Sequence, residues 1–217
     1  MRLEQSDAEL FYQLWFPLLD FVNSKYHVCP ETETIDQRQG VDARDAKAIA
    51  DYLWSHTAVL EEYLAAAELK AVVRKSDISF LEENKIQFDF GIIESESLKK
   101  NLQGCKSAYI FAATAGSEVD RMIKRLCISS EAEGMIFSCI ASSGVDCFCD
   151  FINDEMAKKH KLRPRFSPGY GDVPLSVQPA ILDYLEAGKR IGITLTESLM
   201  MVPVKSVTAI VGILEEE

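Results

Sequence analysis

The segment Arg165-Phe166-Ser167-Pro168-Gly169-Tyr170-Gly171-Asp172-Val173-Pro174 combines residue types that suit a small ligand with charged and flat parts. Arg165 offers a planar fork of N–H groups that matches a carboxylate. Pro168-Gly169 predicts a turn in which the residue without a side chain lets a ligand approach the backbone, and Tyr170 adds a flat apolar face with a polar tip. The same residues are typical of a rigid loop that packs against a sheet edge, so this segment alone leaves both interpretations open.

The signatures of several common enzyme classes are missing from the chain. It contains no Gly-x-Gly-x-x-Gly fingerprint, no Walker A loop and no His-Glu-x-x-His pair. Cys147 and Cys149 are two residues apart in a helical pattern, which directs the two thiols to different sides of the helix. We therefore expect no metal site and no catalytic acid, base or nucleophile.

The elements around this segment indicate an α+β fold. Ile86, Phe88 and Phe90 alternate with polar residues as in a half-buried strand, and residues 108–116 form a short apolar run typical of another. Helices are predicted from Ser117 to about Cys127 and from Ser130 to about His160, where serines provide capping signals.

Towards the C-terminus, residues 176–187 predict a short helix, and IGITLT and SVTAIVGI read as strands. Helices and strands alternate without a regular βαβ rhythm, which favours a twisted, largely antiparallel sheet with packed helices.

The N-terminal part is predicted to be mostly helical. Apolar residues recur at intervals of three and four from Leu10 to Val22, and residues 41–71 are rich in Ala, Leu and Glu. We expect a helical region over residues 1–75 and an α+β core over residues 76–217, which together form one compact unit.

Composition limits the partners and the compartment. A net charge of -11 over 217 residues disfavours nucleic-acid binding. The first residues lack the layout of a secretion signal, so the six cysteines are expected to be reduced thiols in the cytoplasm. Apolar runs are broken by Gly, Pro or charge, so we expect no membrane span.

A second phrase distinguishes between the two interpretations of the Arg165 segment. Residues 191–203 contain Leu195-Thr196-Glu197-Ser198, two methionines and Pro203, and Ser206-Val207-Thr208 follow. In this order, with Arg-x-x-Pro-Gly-Tyr before them, these motifs resemble the C-terminal activation domain of cobalamin-dependent methionine synthase. Residues 111–120 and 145–151 are also similar to that family, so the resemblance extends over residues 108–213.

The resemblance implies an S-adenosylmethionine (AdoMet) site. Arg165, Gly169 and Tyr170 match the family's ligand-contacting loop, which also contains Ser167. Asp146 matches a helix position at which the family usually has Glu, and an Arg and an acid are the partners that the methionine end of AdoMet requires. Glu197 either shapes the pocket or is solvated beside a strand end.

The resemblance also implies a function in methionine biosynthesis. The chain would act as an accessory to a methyltransferase and support the reductive methylation of cob(II)alamin, rather than being a self-sufficient enzyme. None of His27, His56 and His160 lies in the Asp-x-His-x-x-Gly arrangement of many corrinoid proteins, so cobalamin is expected only as presented by a partner.

That partner would be a methionine synthase or another corrinoid protein, and a flavodoxin- or ferredoxin-like protein would donate electrons. Two alternatives stay open at this point. One is a non-catalytic capping protein for a corrinoid methyltransferase, and the other is an AdoMet-dependent methyltransferase acting on an unrelated acceptor. The second is disfavoured by the missing glycine-rich nucleotide loop.

Overall fold

A computed structural model of the chain describes residues 62–63 and 65–214. The helix predicted over Leu10–Val22, Cys29, His27 and His56 lie outside the described residues. The chain divides into two compact units, one that includes Arg121–Cys147 and one formed by Glu68–Asp120 and Phe148–Glu217. The second unit contains the sheet and the Arg165 segment.

The second unit is built on a six-stranded sheet in which every neighbouring pair is antiparallel. The strand order is β3-β2-β1-β4-β8-β5, and a separate two-stranded hairpin pairs β6 with β7. The strands are β1 (Lys70–Phe80), β2 (Lys85–Phe88), β3 (Gly91–Glu94), β4 (Cys105–Thr114), β5 (Lys161–Leu162), β6 (Thr194–Leu195), β7 (Met201–Val202) and β8 (Ser206–Leu214). The predicted α+β class with a largely antiparallel sheet is confirmed.

Five α-helices between residues 96 and 191 accompany these strands. They are α1 (Glu96–Asn101), α2 (Ser117–Ser129), α3 (Glu131–Ala157), α4 (Gln178–Leu185) and α5 (Ala187–Ile191). The predicted start of α2 is confirmed, and that of α3 to within one residue, where the Ser130 Oγ atom accepts a hydrogen bond from the Glu133 N–H at 3.4 Å. The helix predicted over residues 176–187 is present as a 3₁₀ turn followed by α4.

The central strands are apolar on both sides because helices cover both faces of the sheet. On the first face, Ile110 of β4 and Ile210 of β8 pack in one core with Ile181 and Leu185 of α4. On the second face, residues from the same two strands pack against the C-terminal half of α3, namely Phe111, Ala113, Ala209 and Val211 against Cys149, Ile152 and Met156. Burial on both faces explains why β4 and β8 lack the polar alternation of a half-exposed strand.

Two predicted boundaries are wrong. The helix expected to reach Ala71 has already ended, because β1 begins at Lys70 and Ala71 pairs with Ala113 of β4. Pairing along the edge of β4 overrides the local helix preference of this stretch. The strand expected over residues 191–196 is reduced to Thr194–Leu195, since Ile191 is still the last residue of α5.

The other unit places a buried tyrosine against α3. The Tyr63 ring lies edge-on to Phe137, with 6.2 Å between ring centroids. A Cβ atom at Gly144 would lie only 2.2 Å from the Tyr63 hydroxyl oxygen, so this contact requires glycine. Burial raises the pKa of Tyr63, and the electrostatic interaction with Cys147 raises it further, so the hydroxyl group stays protonated.

The length of α3 corrects the expectation that no apolar segment reaches membrane-spanning length. Glu133–Ala157 is long and apolar enough to cross a membrane. Among the residues that the structure describes, no other helix meets both criteria. The core helix of a globular protein passes the same test, and 47% of the most apolar 18-residue stretch of this segment is buried within the fold. The absence of membrane contact therefore stays a prediction.

Candidate functional site

The Arg165 loop, defined here as residues 165–173, is attached to the outer part of the sheet. After the short strand β5, the Arg163 N–H donates to the Gly212 carbonyl at 2.8 Å. Phe166 and Ile210 then exchange two backbone hydrogen bonds of 2.9 and 2.8 Å. The sheet edge therefore fixes the backbone of the loop at Phe166, whose side chain packs against the core of the first face.

Backbone hydrogen bonds close the rest of the loop into a compact turn. The Tyr170 N–H donates to the Ser167 carbonyl at 3.1 Å, and the Gly169 N–H donates to the Val173 carbonyl at 2.9 Å. Pro168 and Val173 are buried, whereas Gly169 and Tyr170 point outwards. The predicted turn is present, and it exposes Gly169 and Tyr170, two of the residues that the resemblance selects for ligand contact.

An aspartate that the sequence analysis did not single out holds the end of this loop. The Asp172 carboxylate accepts hydrogen bonds from the Ser95 hydroxyl group, from the Glu96 N–H at 2.7 Å and from the Ser97 N–H at 3.2 Å. These donors, led by Ser95, lower the pKa of Asp172 to about 2. Asp172 is therefore ionised at neutral pH and ties the loop to the start of α1.

Gly171 allows Asp172 to reach those donors. Its φ of +56° lies in the left-handed region, which glycine adopts without the steric cost that other residues meet. A Cβ atom at this position would lie 3.0 Å from the Ser97 Oγ atom and 3.1 Å from its Cβ atom. The loop and α1 are thus close enough that a side chain at residue 171 would require Ser97 to shift.

Arg165 is held from the second face of the sheet. Its Nη2 atom lies 2.9 Å from Asp150 Oδ1 of α3, and its side chain is 28% exposed whereas that of Asp150 is 63% exposed. The Arg165 Nη1 atom is buried and has no hydrogen-bond partner within the described part of the chain. A buried N–H group of this kind is rare in folded proteins and is available to a ligand oxygen.

Tyr170 and Ser167 occupy different environments within the loop. The Tyr170 side chain is 72% exposed, so its ring is open to a ligand or to another protein. Ser167 is half-buried, and its carbonyl takes part in the turn. Both belong to the loop that carries Arg165, as the sequence predicted.

The two remaining predicted residues lie on other elements. Asp146 is half-buried on α3, within the first of the two units. Glu197 is exposed in the turn between β6 and β7, which is closed by a 2.9 Å hydrogen bond from the Thr196 N–H to the Met200 carbonyl. Their contact with a ligand stays a prediction.

The metal-ligating and thiol side chains of residues 62–63 and 65–214 are arranged as follows. No three His, Cys, Asp or Glu side chains there are grouped so that they could hold a metal ion. The described cysteines are all free thiols, with Cys105 and Cys149 buried and Cys127 and Cys139 exposed. Burial raises the pKa of the Cys105 thiol, although Arg163 opposes that effect.

Comparisons with known proteins agree with the resemblance seen in the sequence. Residues 147–216 match the family described as "Vitamin B12 dependent methionine synthase, activation domain". Among solved structures, the "Crystal Structure of the MetH Reactivation Domain bound to AdoHcy" matches with a TM-score of 0.56 and 17% sequence identity. The match covers 83% of this chain and 69% of the other. No curated protein matched the sequence.

The structural match shows a shared fold, and the family match includes the Arg165 loop, β8 and the C-terminal part of α3. Residues 147–216 thus carry the sequence pattern of the vitamin B12-dependent methionine synthase activation domain, within a chain that has the fold of a MetH reactivation domain.

Proposed function

We propose that the chain binds AdoMet at the Arg165 loop and presents its methyl group to the inactive corrinoid of a partner protein. The partner would be a cobalamin-dependent methionine synthase or another corrinoid methyltransferase. In this reaction one electron from a flavodoxin- or ferredoxin-like protein and the methyl group of AdoMet convert cob(II)alamin to methylcobalamin, and S-adenosylhomocysteine is released. The chain supplies neither the cobalt nor the electron.

The observation that carries this proposal is the half-satisfied guanidinium group of Arg165. Asp150 holds one Nη atom, which fixes the plane of the group, while the buried Nη1 atom has no partner in the described residues. A ligand carboxylate is the group that best completes such a fork. AdoMet carries a carboxylate, and the solved reactivation domain of the same fold is bound to AdoHcy, which carries one too.

The surroundings of Arg165 suit the rest of the ligand. The exposed ring of Tyr170 offers an apolar face, and Gly169 leaves the backbone open to close approach. From the sequence resemblance alone, we propose Asp146 as the acid for the ammonium group of AdoMet. Glu197 is assigned to the rim of the pocket.

Catalysis would come from orientation. The resemblance implies a chain that binds the methyl donor and leaves the cobalt to its partner. Holding the methyl donor in line with the acceptor removes much of the entropic cost of a bimolecular reaction. Orientation is therefore the contribution that we assign to the loop.

Equilibrium binding of AdoMet to the purified chain tests the proposal. We expect one site per chain and, for Arg165→Ala, a loss of about 2 kcal/mol, or roughly 30-fold in Kd, because a charge-assisted hydrogen bond in a partly dry site disappears. Arg190→Ala is the matched control, since it removes an ion-paired arginine from the other face of the sheet. Unchanged affinity in Arg165→Ala would show that the ligand loop is misassigned.

The reactivation step needs a separate assay. The corrinoid spectrum of a cob(II)alamin-loaded partner is followed with AdoMet and a low-potential reductant, with and without the chain. Methylcobalamin is expected to form faster with the chain present. If wild-type chain fails to bind AdoMet at millimolar concentration and does not change this rate, the non-catalytic capping function becomes the better account.

A further inference from the structure

A cleft of about 400 Å³ lies between β1 and the α4–α5 connection, away from the Arg165 loop. It is lined by Val72, Val73, Arg74, Tyr184, Leu185, Glu186 and Arg190. Arg74 is paired in register with Ile110, which belongs to the core of the first face, so Arg74 points to the side covered by α4 and α5. Arg165 is held on the second face by Asp150 of α3, so the two sites are separate.

The first cation of the cleft has a fixed orientation. The Arg74 guanidinium carbon lies 4.4 Å from the centroid of the Tyr184 ring, and its Nη1 atom donates to the Tyr184 carbonyl at 2.9 Å. The Tyr184 hydroxyl group is itself fixed, because it lies 2.7 Å from the Lys75 carbonyl and 3.1 Å from Asp89 Oδ2. Stacking and hydrogen bonding therefore hold Arg74 before any ligand arrives.

The second cation lies at the joint between α4 and α5. Arg190 donates from Nε at 3.0 Å and from Nη2 at 2.7 Å to a single oxygen of Glu186, Oε2. Hydrogen bonding to Arg190 lowers the pKa of Glu186 most, and the charges of Lys189 and Arg74 lower it further. Arg190 is thus ion-paired with Glu186, and Arg74 lines the same cleft, in a chain of net charge -11.

The rest of the lining is apolar. Val72 and Leu185 contribute aliphatic side chains, whereas Val73 is in register with Phe111 and directs its side chain to the second face. A volume of this size lies within the range of small-molecule sites, which combine an apolar wall with a few fixed polar groups. Cations at one end and an apolar wall beside them define the chemistry that the cleft accepts.

We propose that this cleft binds a small organic anion, whose carboxylate or phosphate group pairs with Arg74 and Arg190 while its apolar body packs on Val72 and Leu185. The ligand adds oxyanion contacts to guanidinium N–H groups that Tyr184 and Glu186 leave open. This site is additional to the AdoMet site proposed at the Arg165 loop, and neither depends on the other.

Binding is measured on the full chain by calorimetry at constant ionic strength, with phenyl phosphate, benzoate and phenol as probes. We expect saturable binding of at least one of the two anions and at least tenfold weaker binding of uncharged phenol. Phenyl phosphate and benzoate distinguish a phosphate ligand from a carboxylate ligand. Absence of saturable anion binding, or equal binding of phenol, overturns the proposal.

Charge-removing variants locate the site. Arg74→Gln and Arg190→Gln should each lower the affinity for the anion at least tenfold, whereas Arg74→Lys, which keeps the charge, should lower it less. Lys158→Gln is the control, since it removes a cation paired with Glu155 at an exposed position outside the cleft. Equal affinity in Arg190→Gln and wild type would overturn the assignment even if Arg74→Gln proved poorly folded.

A cross-test separates this proposal from the proposed function. Arg165→Ala should lose AdoMet and keep the anion, whereas Arg190→Gln should lose the anion and keep AdoMet. If Arg190→Gln loses both ligands, the two sites are not independent and the second-site proposal fails. If Arg165→Ala binds AdoMet as tightly as the wild type and the anion results are as expected, only the proposed function is contradicted.

Discussion

Replacing Gly171 by Ala tests whether the Asp172 connection positions the ligand loop. Residue 171 has a φ of +56°, so an alanine there is expected to destabilise the fold by about 1 kcal/mol through left-handed backbone strain. In a chain of this size that corresponds to a fall in Tm of about 2–4 °C. The added Cβ atom would also lie 3.0 Å from Ser97 Oγ, a distance at which the neighbouring atoms must shift.

The shift of these atoms is expected to weaken AdoMet binding. Moving residue 171 away from Ser97 weakens the hydrogen bond of 3.2 Å between the Ser97 N–H and the Asp172 carboxylate. Losing one such bond costs about 1 kcal/mol, so AdoMet affinity is expected to fall by roughly fivefold as the loop loses its fixed position. Calorimetric titration of the variant with AdoMet measures this change directly.

Gly192→Ala is the matched control for Gly171→Ala. Gly192 has a φ of +76°, yet a Cβ atom at this position would meet no atom within 4 Å. The control should therefore lose a similar amount of thermal stability and keep full AdoMet affinity. If both variants bind AdoMet as the wild type does, or if Gly192→Ala loses as much affinity as Gly171→Ala, the positioning argument is refuted.

Three further outcomes are expected around the same loop. The pKa of Asp172 is lowered from 3.8 to about 2 in the fold, so its stabilising effect is complete above pH 4 and is lost as the pH falls towards 2. The difference in Tm between wild type and Asp172→Asn should shrink over that interval in thermal scans. Asp150→Asn should weaken AdoMet binding by about threefold, because a largely exposed partner contributes at most about 1 kcal/mol to holding Arg165. Tyr170→Ala should slow reactivation of the corrinoid partner without changing the thermal stability, since its ring is 72% exposed; an unchanged rate in the spectral assay would remove Tyr170 from the site.

Local sequence patterns predicted the elements whose apolar residues match their burial. The alternation at Ile86 and Phe88 gave β2, because the two side chains face the same core. The uniform apolar run in residues 108–116 gave β4, which is covered on both faces. In both cases the burial pattern is a direct consequence of the side-chain period, so it can be read without knowing the neighbouring strands.

Contacts between distant residues were not predictable in this way. Asp172 binds α1 through residues more than seventy positions earlier in the chain, and Asp150 in the C-terminal half of α3 binds Arg165 beyond the end of that helix. The cleft joins Arg74 of β1 to Tyr184 and Arg190, which lie more than a hundred positions later. An exposed Asp or Arg carries no local signal of its partner, so these pairs become visible only once the strand order is known.

The strand order also explains why the Arg165 loop is suited to positioning a ligand. Its backbone is paired with β8 at Phe166, its first side chain is held by α3 on the second face, and its last aspartate is held by α1. Three separate elements therefore fix a segment of nine residues, and the residues between the anchors, Gly169 and Tyr170, stay exposed. A loop fixed at both ends loses little conformational entropy when it binds, so more of the binding free energy is available to orient the ligand. On the proposed function, that orientation is what brings the methyl group to the partner's cobalt, and weakening any one anchor should lower the rate of reactivation more than it lowers the stability of the fold.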